Sequence, residues 1–423
     1  MKYISTRGNA PEIRAAEAIV AGMAGDGGLF VPTEIPKITS EFIAELARDK
    51  YAGRAERVLR LFLDDYTASE LAGCIARAYD KGKFDDPRVA PTRSVGDMTL
   101  LELWHGPTSA FKDMALQLLP QLLSVALQKI GEKREILILT ATSGDTGKAA
   151  LAGFSDVPQT KIMVFYPAGG VSQIQRLQMT TQTGGNVAVV AVEGNFDDAQ
   201  RGVKTIFNDA ALNSELSAAQ VKLSSANSIN WGRLAPQIIY YFSAYADLLN
   251  MGKIKNGDAV NFTVPTGNFG NILAGFYARQ MGLPVGRLVC ASNRNNVLTD
   301  FLLTGYYDRH RDFFKTITPS MDILISSNLE RLLYHLTDDA AAVRHWMAEL
   351  ADEGRYDCGV NMLQRLQNLF WADWTDDDKT KQAIKEVYDA YHYVMDPHTA
   401  VAWAVAQAYQ RRTDDRRPMV VVS

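Results

Sequence analysis

The chain has 423 residues, with 44 basic and 48 acidic side chains, a formal net charge of −4, 47% hydrophobic and 22% charged residues. A balance this near neutral carries no electrostatic footprint for nucleic acid or an anionic membrane, and the composition excludes disorder, collagen and coiled coil as the main structure. The length suits two or three domains burying about three quarters of their unfolded surface, so no disulfide or structural metal is needed to hold a core.

Cys74, Cys290 and Cys358 are far apart and odd in number, which fits a reducing compartment and neither a zinc spacing nor a disulfide framework. Met1–Gly8 has no apolar stretch behind a basic start, and no apolar run reaches the ~18 residues of a membrane span. The expectation is a soluble cytoplasmic protein with no membrane and no nucleic-acid partner.

In chain order, Ala10–Ala24, Glu41–Ala47, Arg57–Leu63 and Glu70–Tyr79 carry helical periodicity, broken by Asp26-Gly27-Gly28, Pro32 and Pro36. This predicts a small, mostly helical unit over residues 1–95. Beyond it, short strand-like runs at Glu135–Thr140, Lys161–Tyr166, Val187–Val192, Ala259–Val264 and Arg287–Ala291 alternate with helical runs starting near Lys112, Gly144, Ser172, Asp197, Arg233 and Asn268. That alternation predicts an α/β fold, with mostly parallel sheets flanked by helices. A helical block is expected over residues 338–412, with Phe370, Trp371 and Trp374 on one packed helix face and Asp376-Asp377-Asp378 as a solvated helix start. Met419–Val422 then reads as one more buried strand.

Ligands of open α/β sheets sit beyond the carboxyl ends of the strands, where glycine-rich turns feed helix N-termini. Three segments have that composition. Thr140–Lys148 (TATSGDTGK) follows a strand and offers hydroxyls, glycines and backbone N–H groups to a carboxylate or phosphate. It is not a P-loop, because that pattern needs Gly at 142 and Ser or Thr at 149, where this chain has Thr142 and Ala149. Val264–Asn271 (VPTGNFGN) has two glycines two residues apart and asparagine donors, a phosphate cup in chemical terms, without the G-x-G-x-x-G spacing of a dinucleotide site.

The third segment is His105–Asp113 (HGPTSAFKD), which opens a helix expected to run through Met114–Ile130. A lone lysine is ordinarily a solvated surface group. Lys112 follows a compact turn in an apolar stretch, where burial would lower its proton affinity and make it a nucleophile for a carbonyl, as a Schiff-base lysine must be. A reactive lysine and a phosphate cup on one sheet suggest pyridoxal 5'-phosphate.

These three segments resemble those of the threonine synthase family. So do Pro167–Met179 (PAGGVSQIQRLQM), Glu193–Asp198 (EGNFDD) and Ser225–Asn230 with Arg233. Tyr3–Gly8, Asp26–Pro32 (DGGLFVP) and Asp396–Ala400 (DPHTA) extend the resemblance, in the family's order, across almost the whole chain.

The resemblance implies a lyase of the tryptophan-synthase-β-like fold that serves threonine biosynthesis. Such an enzyme converts O-phospho-L-homoserine and water to L-threonine and phosphate by γ-elimination and β-addition of water. It further implies three domains: 1–95; 96–210, with the Schiff-base lysine and carboxylate loop; and 211–423, with the phosphate cup. By the same resemblance Lys112 holds the cofactor and acts as general base, and Gly267, Asn268, Phe269, Gly270 and Asn271 bind the cofactor phosphate. Ser143, Gly144, Asp145 and Thr146 cradle the substrate carboxylate, while Asn227, Ser228, Asn230 and Arg233 receive the substrate phosphate. His105 and His398 are expected to shape the site, and the other four histidines to lie on surfaces or helix faces. No metal is expected, and the active form is a monomer or homodimer.

Family members continue beyond the last strand, and a hydroxyl near that junction meets the cofactor's pyridine nitrogen; Ser423 is that partner or the residue just before it. The alternatives are a related lyase or dehydratase, which would not need the second anion site at Asn227–Arg233, and a non-catalytic scaffold of the same fold.

Overall fold

The computed structural model describes residues 1–142 and 144–423. The N-terminal unit pairs strands Tyr3–Ser5 and Phe30–Pro32 antiparallel and adds helices Ala15–Ala21, Ser40–Arg48, Tyr51–Arg60 and Ala68–Ala78. The last of these shows how sequence sets the boundaries. Thr67 and Glu70 form a reciprocal cap at its start, and Leu71, Cys74, Ile75 and Ala78 recur at helical spacing on the buried face.

Two sheets follow. A four-stranded parallel sheet has the order Val187–Val192, Thr160–Pro167, Glu135–Ala141, Val221–Ser224. A six-stranded sheet has the order Phe370–Trp374, Val285–Ser292, Val260–Pro265, Met419–Val422, Met98–Leu101, Thr92–Val95, and all but the last strand run parallel.

Sheet membership cuts across the expected boundaries at 95 and 210. Thr92–Leu101 belongs to the six-stranded sheet, and Val221–Ser224 completes the four-stranded one. The reason is pairing: Thr92–Val95, Met98–Leu101 and Val221–Ser224 are short and lack an uninterrupted β-branched run, so their place is set by the neighbour whose ladder they finish.

Met419–Val422 lies in the middle of its sheet, which explains its uninterrupted apolar run. Val420 and Val422 join the main core on one face, while Met419 and Val421 join the cluster beneath helix Pro397–Arg412 on the other.

Two expectations need correction. Phe370–Trp374 is an edge strand, not part of a helix face. Phe370 and Ala372 are buried on one side and Trp371 packs on Tyr409 from the other, the period-two pattern of a pleat. The helix expected over Met114–Ile130 is broken into Asp113–Leu116 and Leu119–Lys129. Pro120 has no N–H to give to the Leu116 carbonyl, and Gly153 packs so closely that a Cβ there would stand 1.9 Å from Leu116 O.

Helix Trp231–Asn250 is buried along nearly all its length and touches the N-terminal unit, helix Asp113–Leu116 and helix Gly270–Met281. It joins the three parts around one site.

Candidate active site

Lys112 stands at the start of helix Asp113–Leu116, its side chain largely buried. Its Nζ donates to Ser320 Oγ (2.9 Å) and lies 3.6 Å from Asp145 Oδ2. Burial lowers the proton affinity of the amine; Asp145 pulls the other way, and the charges of Arg233 and Lys148 add to the lowering. The preceding turn is held by Asp113, whose carboxylate accepts from Thr108 N (2.8 Å) and Thr108 Oγ1 (2.9 Å). His105 takes no part in the amine's surroundings, since its ring nitrogens face Asp85 (2.5 Å) and Glu102 (3.0 Å).

The cup at Gly267–Asn271 leads into helix Gly270–Met281, with Phe269 in the left-handed region at φ 61°. Among the described residues, no backbone N–H from Gly267 to Ile272 finds an acceptor. Asn271 Oδ1 accepts from Tyr240 OH (2.7 Å) and Tyr241 OH (2.9 Å), which leaves its amide nitrogen as the available donor. A row of unpaired N–H groups at the start of a helix, with a fixed amide donor beside it, fits the phosphate of pyridoxal phosphate.

The carboxylate loop departs from expectation in one respect. Ser143 lies outside the described residues. Gly144 and Gly147 both give their N–H to Thr142 Oγ1 (2.9 Å each), and no acceptor among the described residues takes the N–H of Asp145 or Thr146. The Asp145 side chain, however, faces cations: Lys112, and Lys148 Nζ at 3.3 Å from Oδ1, with Gln175 Nε2 donating at 2.9 Å. Burial by itself would raise Asp145, but the two lysines overcome it and hold the acid well below the usual carboxylate range. An anionic side chain cannot cradle a carboxylate, so the backbone N–H groups and Thr146 are what remain for that task.

At the expected second anion site Arg233 is buried, gives Nη1 to Ala226 O (2.6 Å), and has an Nε without a partner among the described residues. Burial pushes its guanidinium down to about 10, so it stays charged near neutral pH. Ser228 is half-buried and Asn227 is exposed. Asn230 is not available as a ligand. Its Oδ1 caps helix Trp231–Asn250 through Gly232 N (2.8 Å), and its Nδ2 donates to Ile19 O (2.9 Å). An N-cap asparagine and a ligand asparagine look alike in sequence, and the long helix behind this one is the signal that separates them.

The segment that gathers these parts, residues 316–331, was not legible as functional. Ser320 bonds Lys112 and Asp145, and Ser326 Oγ donates to Gly267 O (2.7 Å). Asn328 N donates to Asn268 O (3.1 Å) and its Nδ2 to Ser228 O (3.2 Å). Arg331, fully buried, spans Phe30 O (2.9 Å), Asn328 Oδ1 (2.6 Å) and Ile229 O (2.5 Å), tying the N-terminal unit to the anion loop. His398 Nε2 accepts from Ser320 N (3.3 Å), so this histidine does shape the site. Ser423 follows the central strand, with its Oγ 2.8 Å from Thr399 Oγ1.

Two family profiles match, "Threonine synthase N terminus" over residues 2–79 and "Pyridoxal-phosphate dependent enzyme" over residues 94–361. The chain is 42% identical to human Threonine synthase-like 1 over 410 residues, covering 94% of itself but only 55% of that protein, about half its length. It is 41% identical to the threonine synthase of Pseudomonas aeruginosa over 420 residues, covering 97% of itself and 85% of the relative. Among solved structures, a pyridoxal-phosphate-bound threonine synthase from Brucella melitensis superposes with a TM-score of 0.92 at 41% identity, covering 100% of this chain and 88% of that one.

Proposed function

The chain belongs to the threonine synthase family of pyridoxal-phosphate-dependent enzymes, and we propose that it converts O-phospho-L-homoserine and water to L-threonine and phosphate. The observation that carries this reading is the meeting, along residues 316–331, of a buried amine and a row of backbone N–H groups without partners among the described residues, with the charge of the buried Arg233 reaching that amine. Those three groups suit a carbonyl cofactor, its phosphate, and a second phosphate on the substrate.

Lys112 would hold the cofactor through Nζ, Gly267–Asn271 would hold its phosphate, and the Ser423 hydroxyl would meet its ring nitrogen. When bound, pyridoxal phosphate supplies an electron-withdrawing ring that takes up negative charge from the substrate's carbon skeleton. The residues do the rest. Arg233, with Ser228 and Asn227, grips the substrate phosphate, and charge-assisted bonds from a planar guanidinium orient it as a leaving group. The N–H groups of Asp145 and Thr146 take the α-carboxylate. Lys112 Nζ, its proton affinity lowered by burial, accepts the Cα proton and returns it. A dehydratase acting on an unphosphorylated amino acid would have no use for Arg233, which is why the synthase reading is preferred.

No helix among the described residues is long and apolar enough to cross a membrane, and all three cysteines are free and buried, which supports a cytoplasmic setting.

The test is an absorption spectrum of the purified protein with pyridoxal phosphate, followed by O-phospho-L-homoserine with phosphate and threonine measured. A cofactor band with equal release of both products is expected. A band without either product, or no band after added cofactor, overturns the proposal.

A further inference from the structure

Four segments converge on the Lys112 amine. One hydroxyl, Ser320 Oγ, accepts from Lys112 Nζ at 2.9 Å and donates to Asp145 Oδ2. That carboxylate is clamped from its other oxygen by Gln175 Nε2 (2.9 Å) and Lys148 Nζ (3.3 Å). Ser320 is held in turn: its N–H donates to His398 Nε2, and His398 Nδ1 lies 3.1 Å from Asp396 Oδ1 at the start of helix Pro397–Arg412. Two residues on, Asp322 accepts from Asn293 (2.7 Å), Asn295 (2.9 Å) and Thr316 Oγ1 (2.8 Å), which pins the loop that carries Ser320.

We propose that Ser320 and Asp145 form a receiver that holds the Lys112 amine whenever it is not bonded to the cofactor. The proposal rests on reading Lys112 as the cofactor-bearing lysine. A flexible four-carbon stem released inside a protein has many rotamers, and a freed base is useful only within reach of the Cα proton. The charged and titratable groups facing the amine are Asp145, Lys148, Arg233 and, behind Ser320, His398. Of these only Asp145 offers it negative charge, and Ser320 delivers that charge through a hydrogen bond. Because its proton is committed to Asp145, the hydroxyl presents a lone pair to the amine and favours the form that has just taken up a proton. Ser320 is thus a positioning residue for the base.

The test uses the holoenzyme with excess 2-methylalanine, an amino acid without a Cα proton, which displaces Lys112 from the cofactor and goes no further. The pH midpoint for acetylation of Lys112 by acetic anhydride, read by peptide mass spectrometry, reports the proton affinity of the freed amine. Ser320→Ala is expected to lower that midpoint by about one pH unit, and Ser320→Thr, which keeps the hydroxyl, to retain the wild-type value. An unchanged midpoint in Ser320→Ala, or a Thr variant shifted as far as Ala, overturns the proposal. Should Ser320→Ala not accumulate as folded protein, Asp145→Asn is measured the same way; a larger fall is expected, and no fall overturns it. Borohydride reduction of the holoenzyme separates the two readings, since cofactor fixed to another lysine refutes the role of Lys112 rather than that of its receiver.

Discussion

A Cβ placed on Gly267 would stand 2.6 Å from the carbonyl oxygen of Ser320. The cup and the loop that holds the lysine amine are therefore packed backbone to backbone, at a distance only glycine permits. Gly267→Ala is expected to force the two apart and cost about 1–3 kcal/mol of stability, as overpacking does. The check is cofactor retained after gel filtration: wild type keeps it, and the variant should lose most of it.

Lys112→Ala should remove the covalent cofactor and the base together. Borohydride reduction followed by peptide mapping should find labelled Lys112 in wild type and no labelled peptide in the variant, with turnover lost. Substantial turnover in the variant would contradict the proposed function.

Arg233 is buried and its Nε has no partner among the described residues, so it is placed to meet an anion that completes its coordination. Arg233→Ala should weaken O-phospho-L-homoserine binding by about 2–5 kcal/mol, the cost of leaving a buried charge partner alone, and weaken L-homoserine binding far less. Calorimetric titration of both ligands measures the contrast, and equal losses would remove Arg233 from the phosphate site.

Asn230 should behave as a structural residue. Asn230→Ala removes the cap on Gly232 N and the tie to Ile19 O, at a cost of about 1–2 kcal/mol in denaturant unfolding. Asn230→Asp keeps the cap acceptor and should recover part of that loss.

Asp113 gives a pH signature. Burial pushes its carboxyl up from the usual value of 3.8 to about 6, against the opposing bonds from Thr108. Below pH ~4 the group is protonated in both folded and unfolded chains and costs nothing; as pH rises through ~6 the unfolded chain releases its proton first, so stability falls. The full cost above that window is on the order of 3 kcal/mol. Asp113→Asn should flatten this part of the profile when urea unfolding is followed at pH 4, 5, 6 and 7.

Much of the site was legible because its chemistry is local. Lys112 in its turn and the glycines of the 267–271 cup announce themselves by composition, since a turn, a helix start and an anion cup are each made by a few consecutive residues. The long strands were legible for the same reason. Val187–Val192 and Glu135–Ala141 carry enough β-branched or apolar residues to be read without partners.

What the sequence by itself determined, then, is the α/β alternation and the local make-up of the Lys112 turn and of the two glycine-rich helix starts. The tertiary structure decided which side chains are free to act. Asn230 is consumed as a cap, Asp145 turns from the expected anion cradle toward two lysines, and Ser320 becomes the partner of an amine 208 positions away. It also decided that Phe370–Trp374 is a strand and that Met419–Val422 is central. Each of these depends on contacts between residues distant in the chain, and a hydrogen bond or a ladder partner across such a distance leaves no period or spacing in the sequence from which it could be read.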